Sequence, residues 1–133
     1  MQKKRAKILM AKMGLDCHDT GIVTVTQLLR DAGFEVVYLG LHNSQEKILR
    51  VAQEEDVDII GLSFLSGQHL LQTGKLMNLM KEKGENFPVM VGGVIPNYDI
   101  SQLQEMGVTK VFSPGTMTPV MIDFINETVK TSA

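Results

Sequence analysis

The chain has 133 residues, 44% of them hydrophobic and 21% charged, with a formal net charge of -2. That length supports one domain, residues 1–133, with a core of its own, and the composition is that of an ordinary globular protein. The single cysteine, Cys17, excludes an internal disulfide, the basic "QKKR" stands at the N-terminus instead of striping a helix, and no apolar run is long enough for a membrane span. A soluble cytoplasmic protein with neither nucleic acid nor membrane as partner is therefore expected. With no signal-peptide pattern at the N-terminus, no targeting is expected either.

Apolar runs rich in Val and Ile alternate with longer segments of helical period, which predicts successive βαβ units. "AKILMAKM" is the first strand. "TGIVTVTQLLRDAG" follows as a helix, with Val23, Gln27 or Leu28 and Ala32 on one face and Gly33 as its stop. "EVVYLG" is the second strand, and Ser44 then N-caps "QEKILRVAQEE", whose buried stripe is Ile48, Val51 and Ala52. The unbroken apolarity of "VDIIGLSF" places the third strand centrally. A helix from Gln68 to Lys83, the strand "VMVGG", a short helix over "NYDISQLQEMG", the strand "KVFSPG" and a last helix over "MTPVMIDFINETV" complete the chain. The predicted fold is α/β, a flavodoxin-like (Rossmann-like) doubly wound parallel five-stranded sheet of order 2-1-3-4-5. Such sheets bind ligands at the carboxyl ends of their strands.

Those ends carry the unusual residues. The first exit has Asp16, His18 and Gly21; the third has Ser63, Leu65, Ser66 and Gly67; the fourth has Gly92, Gly93 and Pro96; the fifth has Ser113, Pro114 and Gly115. Neither GxGxxG nor a P-loop is present, which argues against a nucleotide site. "SFLSG" offers no aspartate for a response regulator, and His18, His42 and His69 lie too far apart for structural zinc. Asp16-x-His18 suits a pair in which the carboxylate holds one imidazole nitrogen and the other faces a metal. One histidine holds a bare ion poorly, so the metal should arrive chelated in a macrocycle with a vacant axial position. Each residue also has a plainer reading: Lys12 could snorkel from a strand, Ser63 could end a buried strand, and Gly92-Gly93 could be a turn.

Taken together, Asp16-x-His18-x-x-Gly21, Ser63-x-Leu65 and Gly92-Gly93 resemble the DxHxxG, SxL and GG pattern of cobalamin-binding domains in adenosylcobalamin-dependent mutases and methionine synthase. The resemblance implies adenosylcobalamin bound base-off, with His18 on cobalt, Asp16 on its far nitrogen and Lys12 extending the relay. Ser63 would bond the displaced benzimidazole, Leu65 would pack on the nucleotide tail, and Gly21, Gly92 and Gly93 would let that tail run close to the backbone. Asp19, Ser66 and Gly67 are expected to line the same cofactor, as are Ser113, Pro114, Gly115 and Thr116.

"GLDCHD", "SFLSGQHL", "GGVIP" and "FSPGT" are most similar to the acyl-CoA mutases, the group rearranging methylmalonyl-CoA, isobutyryl-CoA and 2-hydroxyisobutyryl-CoA. The resemblance implies the small subunit of an isomerase, inactive without a large acyl-CoA-binding subunit that carries a substrate barrel, the two forming a heterotetramer. Corrinoid methyltransferase proteins usually place a helical cap before this fold, whereas this chain reaches its first strand by about residue 7. Glutamate mutase's small subunit, which also carries "DCH", and a non-catalytic cobalamin carrier or sensor remain the alternatives. Cys17 and Thr20 stand where acyl-CoA mutases commonly have glycine and arginine. His69 is left between the cofactor's rim and a cap of the following helix, and His42 in a surface loop.

Overall fold

A computed structural model of the chain describes residues 6–13, 20–64, 68–93, 95–112 and 118–132. Strand and helix alternate throughout: β1 (Lys7–Met13), α1 (Thr20–Asp31), β2 (Glu35–Asn43), α2 (Gln45–Glu55), β3 (Ile59–Phe64), α3 (His69–Lys83), β4 (Val89–Gly93), α4 (Asn97–Glu105), β5 (Lys110–Phe112) and α5 (Thr118–Ser132). The strands form one parallel sheet in the order β2-β1-β3-β4-β5, as the alternation predicts. β3 sits at its centre, where both faces are covered, and this accounts for its continuous apolar run.

Successive strand residues face opposite sides, so each strand feeds two cores. Leu9, Ala11 and Met13 of β1 pack with Ile60, Leu62 and Phe64 of β3 under α2, α3 and α4. Ile8, Met10, Ile59 and Met90 pack with Ile22 and Leu29 of α1 and Ile125 of α5 on the other side. Ser44 caps α2 as its sequence predicts, its hydroxyl accepting from the Lys47 amide at 3.1 Å.

Some local expectations are corrected. The buried stripe of α1 is Ile22, Thr26 and Leu29, whereas Val23, Leu28 and Ala32 are exposed. A polar Thr26 inside the stripe disguised its phase. In α2 it is Leu49, with Ile48 and Ala52, that is fully buried, and Val51 packs only partly against the core. β2 also runs three residues past "EVVYLG". The added residues are accommodated by register shifts against β1 and by left-handed backbone at Gly40 (φ 76°) and His42 (φ 59°). His42 is exposed as expected, but it belongs to the strand's end.

Candidate functional site

The carboxyl end of the sheet is built in rows. On the face covered by α1 and α5, Met10 of β1 pairs with Gly61 of β3, and Gly61 pairs with Met90 of β4. Two residues further along each strand, alternation brings Lys12, Ser63 and Gly92 to the same face, with Ser63 paired to Gly92 and Gly92 to Phe112 of β5. Between the long side chains of Lys12 and Phe112, the two central strands thus present nothing larger than a hydroxymethyl group.

Lys12 is only 1% exposed. Its Nζ donates to the Ser63 carbonyl at 3.2 Å, which ties β1 to β3 where both strands leave the sheet. A buried ammonium is costly unless hydrogen-bonded, so its place beside the strand exits demands a reason beyond packing. Asn43, at the end of β2, fastens the same point from the other side. Its Nδ2 donates to the Lys12 carbonyl at 3.0 Å and to the Gly40 carbonyl at 2.9 Å. Two carbonyl partners require the nitrogen there, and Oδ1 is left buried with no partner among the described residues.

Gly92 and Gly93 differ in what they do. A Cβ on Gly92 would make only ordinary contact with Phe112, at 3.9 Å. On Gly93, whose φ is +111°, a Cβ would run into the Phe64 carbonyl and crowd the Phe64 amide at 2.9 Å. Gly93 is therefore required by the close approach of β3, whereas Gly92 leaves open surface.

On the opposite face, His69 opens α3 and Asp99 lies in the first turn of α4. Nε2 of His69 meets Oδ2 of Asp99 at 2.7 Å, both side chains are nearly inaccessible, and the ring stands edge-on to Phe64. The other ring nitrogen, Nδ1, is buried with no hydrogen-bond partner among the described residues. His69 does not cap α3, because Gln68 occupies the cap position.

Asp16, His18, Asp19, Leu65, Ser66 and Gly67 lie outside the described residues, as do Ser113, Pro114, Gly115 and Thr116. Gly21 falls in the first turn of α1. Lys12, Ser63 and Gly92 are brought together on one face, and Gly93 closes the edge behind them. Reading the sequence missed Asn43, Asp99 and Gly61. Of these only Gly61 carries a legible signal, an isolated glycine within an apolar strand.

The fold and this rim define a doubly wound domain that carries its ligand across the carboxyl ends of its central strands. Residues 6–122 match the B12 binding domain family, and the chain belongs to that family; its cofactor is a cobalamin. It is 39% identical over 130 residues to the 2-hydroxyisobutanoyl-CoA mutase small subunit of Aquincola tertiaricarbonis, covering 97% of this chain and 96% of that one. To the pivalyl-CoA mutase small subunit of Xanthobacter autotrophicus it is 38% identical over 120 residues, covering 90% and 80%. Among solved structures it is similar to a cobalamin-binding protein from Desulfitobacterium hafniense, with a TM-score of 0.73 and 29% identity over 81% of this chain. The chain spans 53% of that protein's length. The receiver domain of NarL from Mycobacterium tuberculosis shares the fold alone, with a TM-score of 0.67 at 12% identity.

The described residues fit such a cofactor. The low strip formed by Ser63 and Gly92 leaves room for a flat ring against the backbone. No helix among the described residues is long and apolar enough to cross a membrane.

Proposed function

We propose that this chain is the cobalamin-carrying subunit of a two-chain radical acyl-CoA mutase. His18 serves as the lower axial cobalt ligand, Asp16 orients its imidazole, and Lys12 extends that relay from the floor of the site. Ser63 holds the displaced base by its hydroxyl, Leu65 packs on the tail, and Gly21, Gly92 and Gly93 admit it close to the backbone. Asp19, Ser66, Gly67, Ser113, Pro114, Gly115 and Thr116 contribute to the same cofactor site. Adenosylcobalamin, when bound, supplies the radical chemistry for a 1,2 rearrangement of the carbon skeleton. The protein's share is to fix the axial imidazole, bind the tail and present the cofactor to a large cytoplasmic subunit that holds the acyl-CoA, in a heterotetramer.

The observation that carries this reading is the near end-to-end match to a mutase small subunit, 97% of one chain against 96% of the other. Buried Lys12 adds to it, because an ammonium tied to the β3 exit lies four residues before Asp16 in the sequence. The test is the visible spectrum of the purified chain with adenosylcobalamin, for wild type and His18→Ala. A base-off, histidine-ligated spectrum in wild type that disappears in the variant is expected. Failure of the wild type to bind any corrinoid, alone or with a candidate large subunit, overturns the proposal; tight binding with no mutase partner would turn it toward a carrier or sensor.

A further inference from the structure

The sheet face beneath α1 and α5 changes character step by step towards the strand exits. Its deepest row is stiff: Ile8 pairs with Ile59, both fully buried and β-branched. The row nearest the rim holds Lys12, Ser63 and Gly92. Between them lies Met10, Gly61, Met90, and here the central residue has no side chain at all. A Cβ on Gly61 would lie 2.5 Å from Sδ of Met10 and 3.0 Å from Cε of Met90. The two flanking thioethers therefore lean inward from both neighbouring strands and fill the gap over bare backbone. Met10 is 4% exposed and Met90 is 3% exposed.

Methionine suits this arrangement for a physical reason. It is unbranched, with three rotatable bonds, so it can reach sideways across a neighbouring strand and swing away again; a branched side chain cannot. Filling the gap with side-chain ends is the one solution in which the space can be vacated without moving a strand. Resting on the cobalamin reading above, we propose that Met10 and Met90 are the yielding floor of the slot that receives the cofactor's lower base. Their position decides how deep and how large a base the chain accepts. Ser63, the partner assigned to that base, stands two residues nearer the rim on the same strand face, about 6.6 Å from Gly61 at the usual strand rise. A flat aromatic base entering past Ser63 comes next to Gly61, and the polarizable sulfurs that part to admit it make favourable contacts with its ring.

The test uses the full chain labelled with 13C at its methionine methyls, of which the sequence has nine. It is titrated with cobalamin and, separately, with cobinamide, the same corrin without its nucleotide tail. Single Met10→Leu and Met90→Leu variants, which nearly conserve volume, assign the two signals. On cobalamin binding, ring-current shifts larger than those of the other methyls are expected at Met10 and Met90, and cobinamide should leave both in place. In a second arm, cobalamin, whose lower base is dimethylbenzimidazole, is compared with a cobamide bearing unsubstituted benzimidazole, which is smaller by two methyl groups. The Met10→Leu/Met90→Leu double variant should favour the smaller base by at least about tenfold more than wild type, the discrimination that a changed apolar pocket supplies. Cobalamin bound with neither methyl shifted, or equal shifts with both corrinoids, overturns this inference and leaves the cobalamin reading standing. No binding of either corrinoid brings down both.

Discussion

His69 and Asp99 join α3 to α4 through a 2.7 Å contact between Nε2 and Oδ2, in a seam otherwise packed with apolar side chains. Both residues lie in the first turns of their helices, directly after the exits of β3 and β4, so their bond fixes where the two helices begin relative to each other. The carboxylate is also well placed by the dipole of α4, whose amino end it occupies. Its partner is harder to replace. His69→Leu leaves a buried carboxylate facing a hydrocarbon and should cost about 3 kcal/mol, the usual penalty for stranding one member of a buried pair. Asp99→Asn keeps an acceptor against Nε2 and should cost about 1 kcal/mol. Urea unfolding of the two variants checks the order; equal losses would mean that the contact contributes only shape.

Adjacent glycines at the end of β4 should respond in opposite ways. Gly93→Ala drives a Cβ into the backbone of Phe64 at a φ that side chains rarely adopt, and backbone cannot swing aside. This variant should fail to fold or melt far below wild type. Gly92→Ala meets only Phe112 at ordinary contact distance, so its thermal midpoint should stay close to wild type while its affinity for cobalamin falls. Calorimetry and a corrinoid titration on both variants make the comparison. A Gly92→Ala chain that binds cobalamin as tightly as wild type would remove Gly92 from the tail's path.

Asn43 bridges two carbonyls and so can be tested by charge alone. Asn43→Asp puts carboxylate oxygens where the Lys12 and Gly40 carbonyls require a donor. With the residue only 2% exposed, a loss of about 3 kcal/mol is expected at neutral pH, since a buried charged group without its bonds is penalised more than a neutral one. The loss should shrink at low pH, where protonation of the new carboxyl restores one donor. A denaturation midpoint that tracks wild type at all pH values would show that Asn43 is not needed to hold β2 against Lys12.

How much of this was legible beforehand follows from the range of each interaction. Strand order and helix positions are set by patterns within a dozen residues, and "VMVGG" or Ser44 with "QEKILRVAQEE" announce themselves. The places of Ser63 and Gly92 at strand exits were legible too, because they follow from the fold class. Partnerships across the sheet were not. Asp99 reads as an ordinary acidic residue in a first helical turn, and only the meeting of α3 with α4 reveals His69 beside it. Met10 and Met90 read as two more core methionines among nine, because nothing in either segment says that Gly61 lies between them. The phase of α1 was misread for a related reason: the polar Thr26 faces the sheet, where a periodicity count places it outside.

Lys12 bears on stability and function at once. Its ammonium is buried and donates to the Ser63 carbonyl, and methionine, an apolar side chain of similar length, fills the same space without that bond. The substitution leaves the Ser63 carbonyl without that donor, so Lys12→Met should cost about 1–3 kcal/mol in urea in the absence of corrinoid. If Lys12 extends the Asp16–His18 relay, the same substitution weakens the axial imidazole, and cobalamin affinity should fall by roughly 10–100-fold, the usual effect of removing a residue that orients a metal ligand. The two readouts decide between roles. Lost stability with unchanged corrinoid binding would make Lys12 a strap between β1 and β3, and a fall in both would place it in the site.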